Sequence, residues 1–140
     1  MGQLAEFATN HPLIALSVAA SLVAVIVYEL RLKSQGLTQL ATSDAVRLIN
    51  KGATIIDVRK AEAYGAGHIV NARNVPIEQI EGDPDAALQK AKNRALLTVC
   101  DNGTISAKAA GALRRAGFET VFSLKGGLAS WRAENLPLVK

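Results

Sequence analysis

The sequence is poor in the residues that build metal and redox centres. It holds one cysteine in 140 residues, so it can form no intrachain disulfide and no cysteine-based zinc cluster. Its two histidines, His11 and His68, stand far apart in the chain and complete no ligand set; neither a metal nor a cofactor is expected. Aromatic residues make up only 4%, too few for a base-stacking surface, and no nucleic-acid partner is expected either. Disorder and collagen-like repetition are excluded by a composition that is 49% hydrophobic and 20% charged. The length suits one ordinary domain with a short appendage. The net charge of +4 is modest, and where the charges lie matters more than their sum.

Charge is missing altogether from residues 7–28. As a helix that run would be about 33 Å long, close to the roughly 30 Å hydrocarbon core of a bilayer. From Leu13 to Val27 it is Leu, Ile, Val and Ala relieved only by Ser17 and Ser21. Such a run is apolar on every side, unlike a surface helix with one buried stripe. Pro12 stands where a helix start tolerates it, with Asn10 as the candidate cap. Glu29 and Lys33 are spaced for a helical ion pair at the membrane edge. A cleaved signal peptide would carry Lys or Arg ahead of its apolar run and a small-x-small site behind it; here only Glu6 and His11 precede the run, and no such site follows. Glu6 also stands where a myristoylation signal wants Ser or Thr. The reading is an uncleaved anchor over residues 1–33, spanning about 10–30, then a linker at 34–36. Arg31, Lys33, Arg47 and Lys51 follow the span and no Lys or Arg precedes it. The positive-inside rule therefore puts the amino terminus outside and the bulk of the chain in the cytoplasm. A reducing compartment also suits an unpaired cysteine.

Residues 37–140 alternate strand and helix patterns. Strands are expected at 37–40, 54–58, 73–75, 96–99 and 120–124, the second and fourth as continuous apolar runs of the buried kind. Helices are expected from a Ser43 cap to Asn50, from Asp83 or Asp85 through Ala91, from the turn after Cys100 to Ala116, and over 128–134. Residues 64–68 read as loop. In the helix after Cys100, the apolar stripe is Ile105, Ala109, Ala112, Leu113 and Ala116, with Lys108, Arg114 and Arg115 elsewhere. The alternation argues an α/β domain with a largely parallel sheet.

In such a sheet, ligands bind beyond the carboxyl ends of the strands. Cys100 falls there, followed by the glycine-containing turn Asp101-Asn102-Gly103-Thr104 and then a helix start. Converging turn amides and the helix dipole both favour an anion on sulfur, the nucleophilic form. A lone cysteine is otherwise a small buried hydrophobe.

These residues carry a resemblance. Ile56-Asp57-Val58-Arg59, then Tyr64-x-x-Gly67-His68-Ile69, then Asn74-Val75-Pro76 resembles the first half of a rhodanese domain. Cys100-x-x-Gly103-x-x-Ser106-Ala107 is similar to its active-site loop. Ala116-Gly117-Phe118-x-x-Val121-x-x-Leu124-x-Gly126-Gly127-x-x-x-Trp131, ending Leu136-Pro137, resembles its closing segment. With the amino-terminal span, the whole resembles small bacterial rhodanese-like proteins anchored in the inner membrane. The resemblance implies an α/β fold with a five-stranded, mainly parallel sheet flanked by helices, preceded by one transmembrane helix. It implies a sulfurtransferase in which Cys100 takes sulfane sulfur as a persulfide and passes it to a thiophilic acceptor, small molecule or protein. Backbone amides of Asp101, Asn102, Gly103, Thr104 and Ile105 would cradle the outer sulfur or an incoming anion. Asp57, Arg59 and Ser106 would support the pocket, the first two from beside it or else only as a structural ion pair steadying the loops. His68 is expected to hold its own loop, and Trp131 to be core.

One departure bears on substrate. Many family members carry Arg five positions after the cysteine, where this chain has Ile105, and the loop 101–106 has no basic side chain. Asp101 adds a negative charge beside the nucleophile if it points inward. Thiosulfate, a dianion, is then expected to be a poor donor. A phosphatase on the same fold would need Arg six positions after the cysteine to grip phosphate; Ser106 stands there. The remaining alternative is a catalytically weak docking module for membrane-protein partners.

Overall fold

The computed structural model describes residues 2–36 and 38–140. The chain divides into two compact units, residues 1–36 and 37–140.

The first unit is helical. α1 covers Gly2–Asn10 and α2 covers Pro12–Gly36. Pro12 opens α2 as its first residue, where a missing N–H costs nothing. Asn10, the expected cap, instead closes α1, and His11 separates the helices. Residues 34–36, expected as a linker, continue α2: Ser and Gln tolerate a helix, and Gly36 is the first poor helix former. The expected Glu29–Lys33 pair falls on a side chain outside the described residues. Ser17 Oγ donates to the Ile14 carbonyl at 2.9 Å and Ser21 Oγ to the Ser17 carbonyl at 2.8 Å, so both hydroxyls are satisfied within the helix. Within residues 12–31 an 18-residue window reaches a mean hydropathy of 2.3, and none of that window is buried. By length and composition this helix can cross a membrane.

The second unit is an α/β domain. Its strands are β1 (Gln39–Leu40), β2 (Thr54–Asp57), β3 (Arg73–Asn74), β4 (Leu96–Val99) and β5 (Val121–Leu124). They form one five-stranded sheet in the order β1-β5-β4-β2-β3, parallel at every pairing. Leu37, expected to open the first strand, lies outside the described residues. β2 and β4 sit side by side in the interior, which is why both read as unbroken apolar runs. One core lies under α7 (Thr104–Arg115), with Ile56, Val58, Leu96, Leu113 and Phe118; the other holds Ile55, Leu97, Val99, Leu128 and Trp131.

Helices α3 (Thr42–Asn50) and α8 (Gly127–Ala133) lie close to their expected places. Ala41 rather than Ser43 caps α3, because Thr42 is buried and already helical. Three differences have local causes. α4 covers residues 61–66 and so takes in the first half of the loop expected at 64–68, Gly65 within it and Gly67 just past it having masked the pattern. α5 (Ile77–Gly82) was not foreseen; it starts on Pro76 and buries a single residue, Ile80, too little for a visible stripe. Asp83 does cap the next helix, α6 (Pro84–Leu88), accepting from the Ala86 amide at 2.9 Å, after which Gln89–Ala91 tighten into a 3-10 turn. α7 buries Ser106, Ala109, Ala110 and Leu113, so the buried stripe is rotated from the expected one and leaves Ile105 in solvent.

Candidate functional site

β4 carries Cys100 to the carboxyl end of the sheet, where the chain turns through residues 101–103 into α7. Cys100 is 1% exposed. Its Sγ accepts the Gly103 amide at 3.1 Å and the Ser106 amide at 3.3 Å, and Ser106 Oγ lies 3.3 Å away. Two backbone dipoles thus point at one sulfur atom, an arrangement that stabilises negative charge on it, while the Ser106 hydroxyl accepts from the thiol and donates to the Gly103 carbonyl at 3.2 Å. The Thr104 amide, expected to face the sulfur, donates instead to Asn102 Oδ1 at 3.0 Å. Among the described residues, the Asn102 and Ile105 amides have no acceptor.

Ser106 was expected to support the pocket, and both its amide and its hydroxyl touch Cys100 Sγ. Its position is fixed from below. Thr98 Oγ1, fully buried, donates to the Ser106 carbonyl at 2.8 Å and lies 3.2 Å from the Phe122 carbonyl. A hydroxyl amid Leu96, Leu97 and Val99 is the signal that could have exposed this role, since a buried hydroxyl needs a partner.

The loop also needs glycine at two places. Gly103 has φ +91°, and a Cβ there would stand 2.9 Å from the Gly126 amide nitrogen. Gly127 has φ +60°, and a Cβ there would overlap the Cys100 carbonyl oxygen and crowd the Gly103 nitrogen at 2.7 Å. The Gly126-Gly127 turn after β5 therefore packs directly on the cysteine loop. It is fastened there by the Leu128 amide, which donates to the Cys100 carbonyl at 2.8 Å, and by the Ala129 amide, which donates to Asp101 at 3.0 Å. Read in the sequence only as a turn, the pair is part of the site's wall.

Asp57 and Arg59 form the ion pair that was one of their two expected roles. Arg59 Nη2 donates to Asp57 Oδ2 at 2.7 Å and to the Gly67 carbonyl at 2.7 Å, while Nε donates to Asp57 Oδ1 at 2.9 Å. Nη1 reaches across to Asp101 Oδ1 at 3.1 Å. The hydrogen bond to Asp57 is the chief cause that holds the Arg59 guanidinium above its ordinary range; burial opposes it, and the charges of Asp57 and Asp101 assist. Asn74 Nδ2 ties the strand end by donating to the Asp57 and Arg59 carbonyls. Asp101 does not point at the sulfur: it is 69% exposed and neutralised by Arg59.

His68 stacks on Tyr64 with ring centroids 3.8 Å apart, and its Nδ1 lies 3.0 Å from the Tyr64 carbonyl, so it holds its own loop. Trp131 is core, donating from Nε1 to the Pro137 carbonyl at 3.1 Å. Lys108, on the basic face of α7, pairs with Glu81 at 2.7 Å. Among the described residues no group of His, Cys, Asp and Glu is arranged to hold a metal ion.

Relatives share this architecture. The chain is 34% identical over 141 residues to the uncharacterized protein YibN of Escherichia coli strain K12, covering 100% of this chain and 99% of that one. It is 37% identical over 83 residues to the thiosulfate sulfurtransferase GlpE of Pseudomonas putida, covering 59% of this chain and 73% of GlpE. Among solved structures, the rhodanese-like domain of the Anabaena protein Alr3790 superposes with a TM-score of 0.64 at 33% identity, over 73% of this chain and 78% of that one. A rhodanese-related protein from Thermoplasma volcanium gives the same score at 27% identity, over 72% and 96%. Residues 41–134, which hold β2 to β5, the cysteine loop and the glycine pair, match the Rhodanese-like domain, and the chain belongs to that family.

Proposed function

We propose that the chain is a membrane-anchored sulfurtransferase that moves sulfane sulfur through a persulfide on Cys100. The observation that carries this reading is the convergence of the Gly103 and Ser106 amides on Cys100 Sγ. A merely structural cysteine has no use for two preorganised donors. An attacking thiolate and the terminal sulfur of a persulfide both carry negative charge, which such donors stabilise without reorganisation.

The chemistry balances without a cofactor. The Cys100 thiolate attacks the outer sulfur of a donor R–S–SH; the donor's S–S bond breaks, R–S⁻ leaves with the electron pair, and Cys100–S–SH forms. An acceptor thiolate then attacks the outer sulfur, carries it off as a new persulfide and returns Cys100 to the thiolate. The unengaged Asn102 and Ile105 amides are the donors left for the outer sulfur. The exposed apolar surface of α2 supports the anchor, and the Lys and Arg residues that follow the span support a cytoplasmic domain below a bacterial inner membrane.

A docking module for membrane proteins is the second reading, favoured by a loop without a basic side chain. One experiment separates the two. The full chain is incubated with a persulfide donor and its intact mass is measured. A gain of one sulfur atom, absent from Cys100→Ser and discharged by an added thiol, is the expected result. A chain that stays at its starting mass with persulfide and polysulfide donors alike is a docking module.

A further inference from the structure

The Ser106 hydroxyl has one proton and two acceptors within reach. Its Oγ lies 3.3 Å from Cys100 Sγ and 3.2 Å from the Gly103 carbonyl oxygen. It cannot donate to both at once, so the charge on the sulfur decides between them. A neutral sulfur is a weak acceptor; the proton goes to the carbonyl, and an Oγ lone pair is left to accept the thiol S–H. A thiolate is the stronger acceptor, and a turn about the Cβ–Oγ bond brings the same proton to the sulfur. The Gly103 carbonyl is not orphaned by that turn, because it keeps the Ala107 amide at 3.2 Å. The amides of Gly103 and Ser106 have no such choice and point at Sγ whatever its charge.

Such a rotor works only if Oγ is held within reach of both acceptors, and Thr98 supplies the hold. Strand alternation puts Thr98 on the same side of β4 as Leu96 and Cys100, which pack in the core under α7. It is fully buried, and its Oγ1 donates to the Ser106 carbonyl at 2.8 Å with the Phe122 carbonyl 3.2 Å away. A valine would fill this space with no polar atom to satisfy. The threonine hydroxyl instead ties the first turn of α7 to the sheet beside the cysteine. The charged groups around the loop are engaged elsewhere. Asp101, Arg59 and Asp57 pair with one another, and Lys108 of α7 pairs with Glu81 of α5. His68 is stacked on Tyr64, and Glu78 of α5 and Lys125 after β5 are exposed.

We propose that Ser106 is a catalytic residue whose hydroxyl turns between the Gly103 carbonyl and Cys100 Sγ as the sulfur gains and loses charge, and that Thr98 is the positioning residue that keeps it in reach of both. In the transfer cycle Sγ is anionic before it attacks the donor, uncharged within the persulfide and anionic again as it leaves. The hydroxyl proton stays on Oγ throughout, and only its acceptor changes. Ser106 therefore stabilises the thiolate and the developing leaving group more than the persulfide, which is the difference that speeds discharge. This use of the rotor rests on the sulfurtransferase reading; the rotor itself does not, and it is measurable in the resting protein.

The test uses the full chain in mild detergent, labelled with carbon-13 at the cysteine Cβ. One cysteine gives one resonance, and its position reports thiol against thiolate. At the pH where the wild type holds the two forms equally, Ser106→Ala is expected to lower the thiolate-to-thiol ratio about tenfold, the loss of one hydrogen bond to an ionised group. Thr98→Val leaves Ser106 in place and should lower the ratio about threefold. Thr98→Ser keeps the hydroxyl and should restore it. Discharge of a preloaded persulfide by an added thiol is expected to slow in the same order. An unchanged ratio in Ser106→Ala overturns the rotor. A Thr98→Val ratio equal to the wild type overturns the positioning role, as does a Thr98→Ser variant that behaves like Thr98→Val, since packing and not the hydroxyl would then matter. Lowered ratios with undiminished discharge overturn the catalytic role. A wild type that never gains sulfur removes the sulfurtransferase reading and the catalytic role with it, while the ratios still decide the rotor.

Discussion

Arg59 holds Asp101 at 3.1 Å with Nη1 while its other guanidinium nitrogens are committed to Asp57 and the Gly67 carbonyl. The acidic neighbour of Cys100 is thereby turned outward and neutralised, and the Arg59 guanidinium is saturated. Both facts bear on donor choice. They also make the two carboxylates unequal, since Asp57 is buried and Asp101 is mostly in solvent.

That inequality is measurable. Arg59→Gln leaves Asp57 buried without a cation and is expected to lower unfolding free energy by about 3–5 kcal/mol. Asp101→Asn removes a solvent-screened pair and should cost less than about 1 kcal/mol. Urea unfolding of the two variants in mild detergent checks both. Comparable losses would mean that Arg59 serves Asp101 rather than Asp57.

The glycine pair offers a second contrast. At Gly127 a Cβ meets the Cys100 carbonyl and the Gly103 nitrogen at a positive φ, so Gly127→Ala must shift the cysteine loop. It is expected to destabilise by about 1–3 kcal/mol and to abolish sulfur loading of Cys100. Gly111 lies inside α7, and a Cβ there has only the flexible end of Arg115 at 3.6 Å. Gly111→Ala should therefore stabilise by up to about 1 kcal/mol and leave loading unchanged. Loading that survives Gly127→Ala would show that the loop does not need the close packing described.

How much of this was legible beforehand follows from how locally each feature is encoded. β2 and β4 announced themselves because interior parallel strands are apolar on both faces, and Cys100 could be placed at a strand end by counting. α4 and α5 were hidden because six-residue helices bury too few side chains to leave a period. The amide geometry was half visible: a glycine turn after a strand implies converging donors, yet only folding shows that the donors are Gly103 and Ser106 and that Thr104 turns to Asn102. Contacts between distant segments were not visible at all. Gly127 against Cys100 and Arg59 against Asp101 each join residues far apart in the chain, and nothing local marks them.

The division at Gly36 gives a third prediction. All five strands and both cores lie within residues 38–140, so a fragment starting at Ser34 is expected to be soluble, monomeric and cooperative in unfolding. Aggregation at every tested pH would mean that α2 completes the core. In the full chain, a reporter active only in the periplasm and fused after Lys140 should stay silent, as the charge asymmetry around the span requires. A positive signal would reverse the topology and place Cys100 in an oxidising compartment.

Donor choice gives the last prediction. Ile105 stands five positions after Cys100, at the second residue of α7, and is 46% exposed. Its side chain contributes little to either core, so Ile105→Arg replaces it at small packing cost. The new guanidinium would stand at the rim of a loop whose other side chains carry no positive charge, and with Arg59 already committed it would add a cation free to pair with a thiosulfate dianion. The expected gain is about tenfold in kcat/KM for thiosulfate, on the order of 1.4 kcal/mol of transition-state stabilisation. A neutral persulfide donor has no such charge to offer and should gain little. Parallel kinetics of wild type and variant with the two donors check the difference. An equal gain with both donors would point to improved access or loop order, and no gain with thiosulfate would mean that charge at position 105 does not govern donor choice.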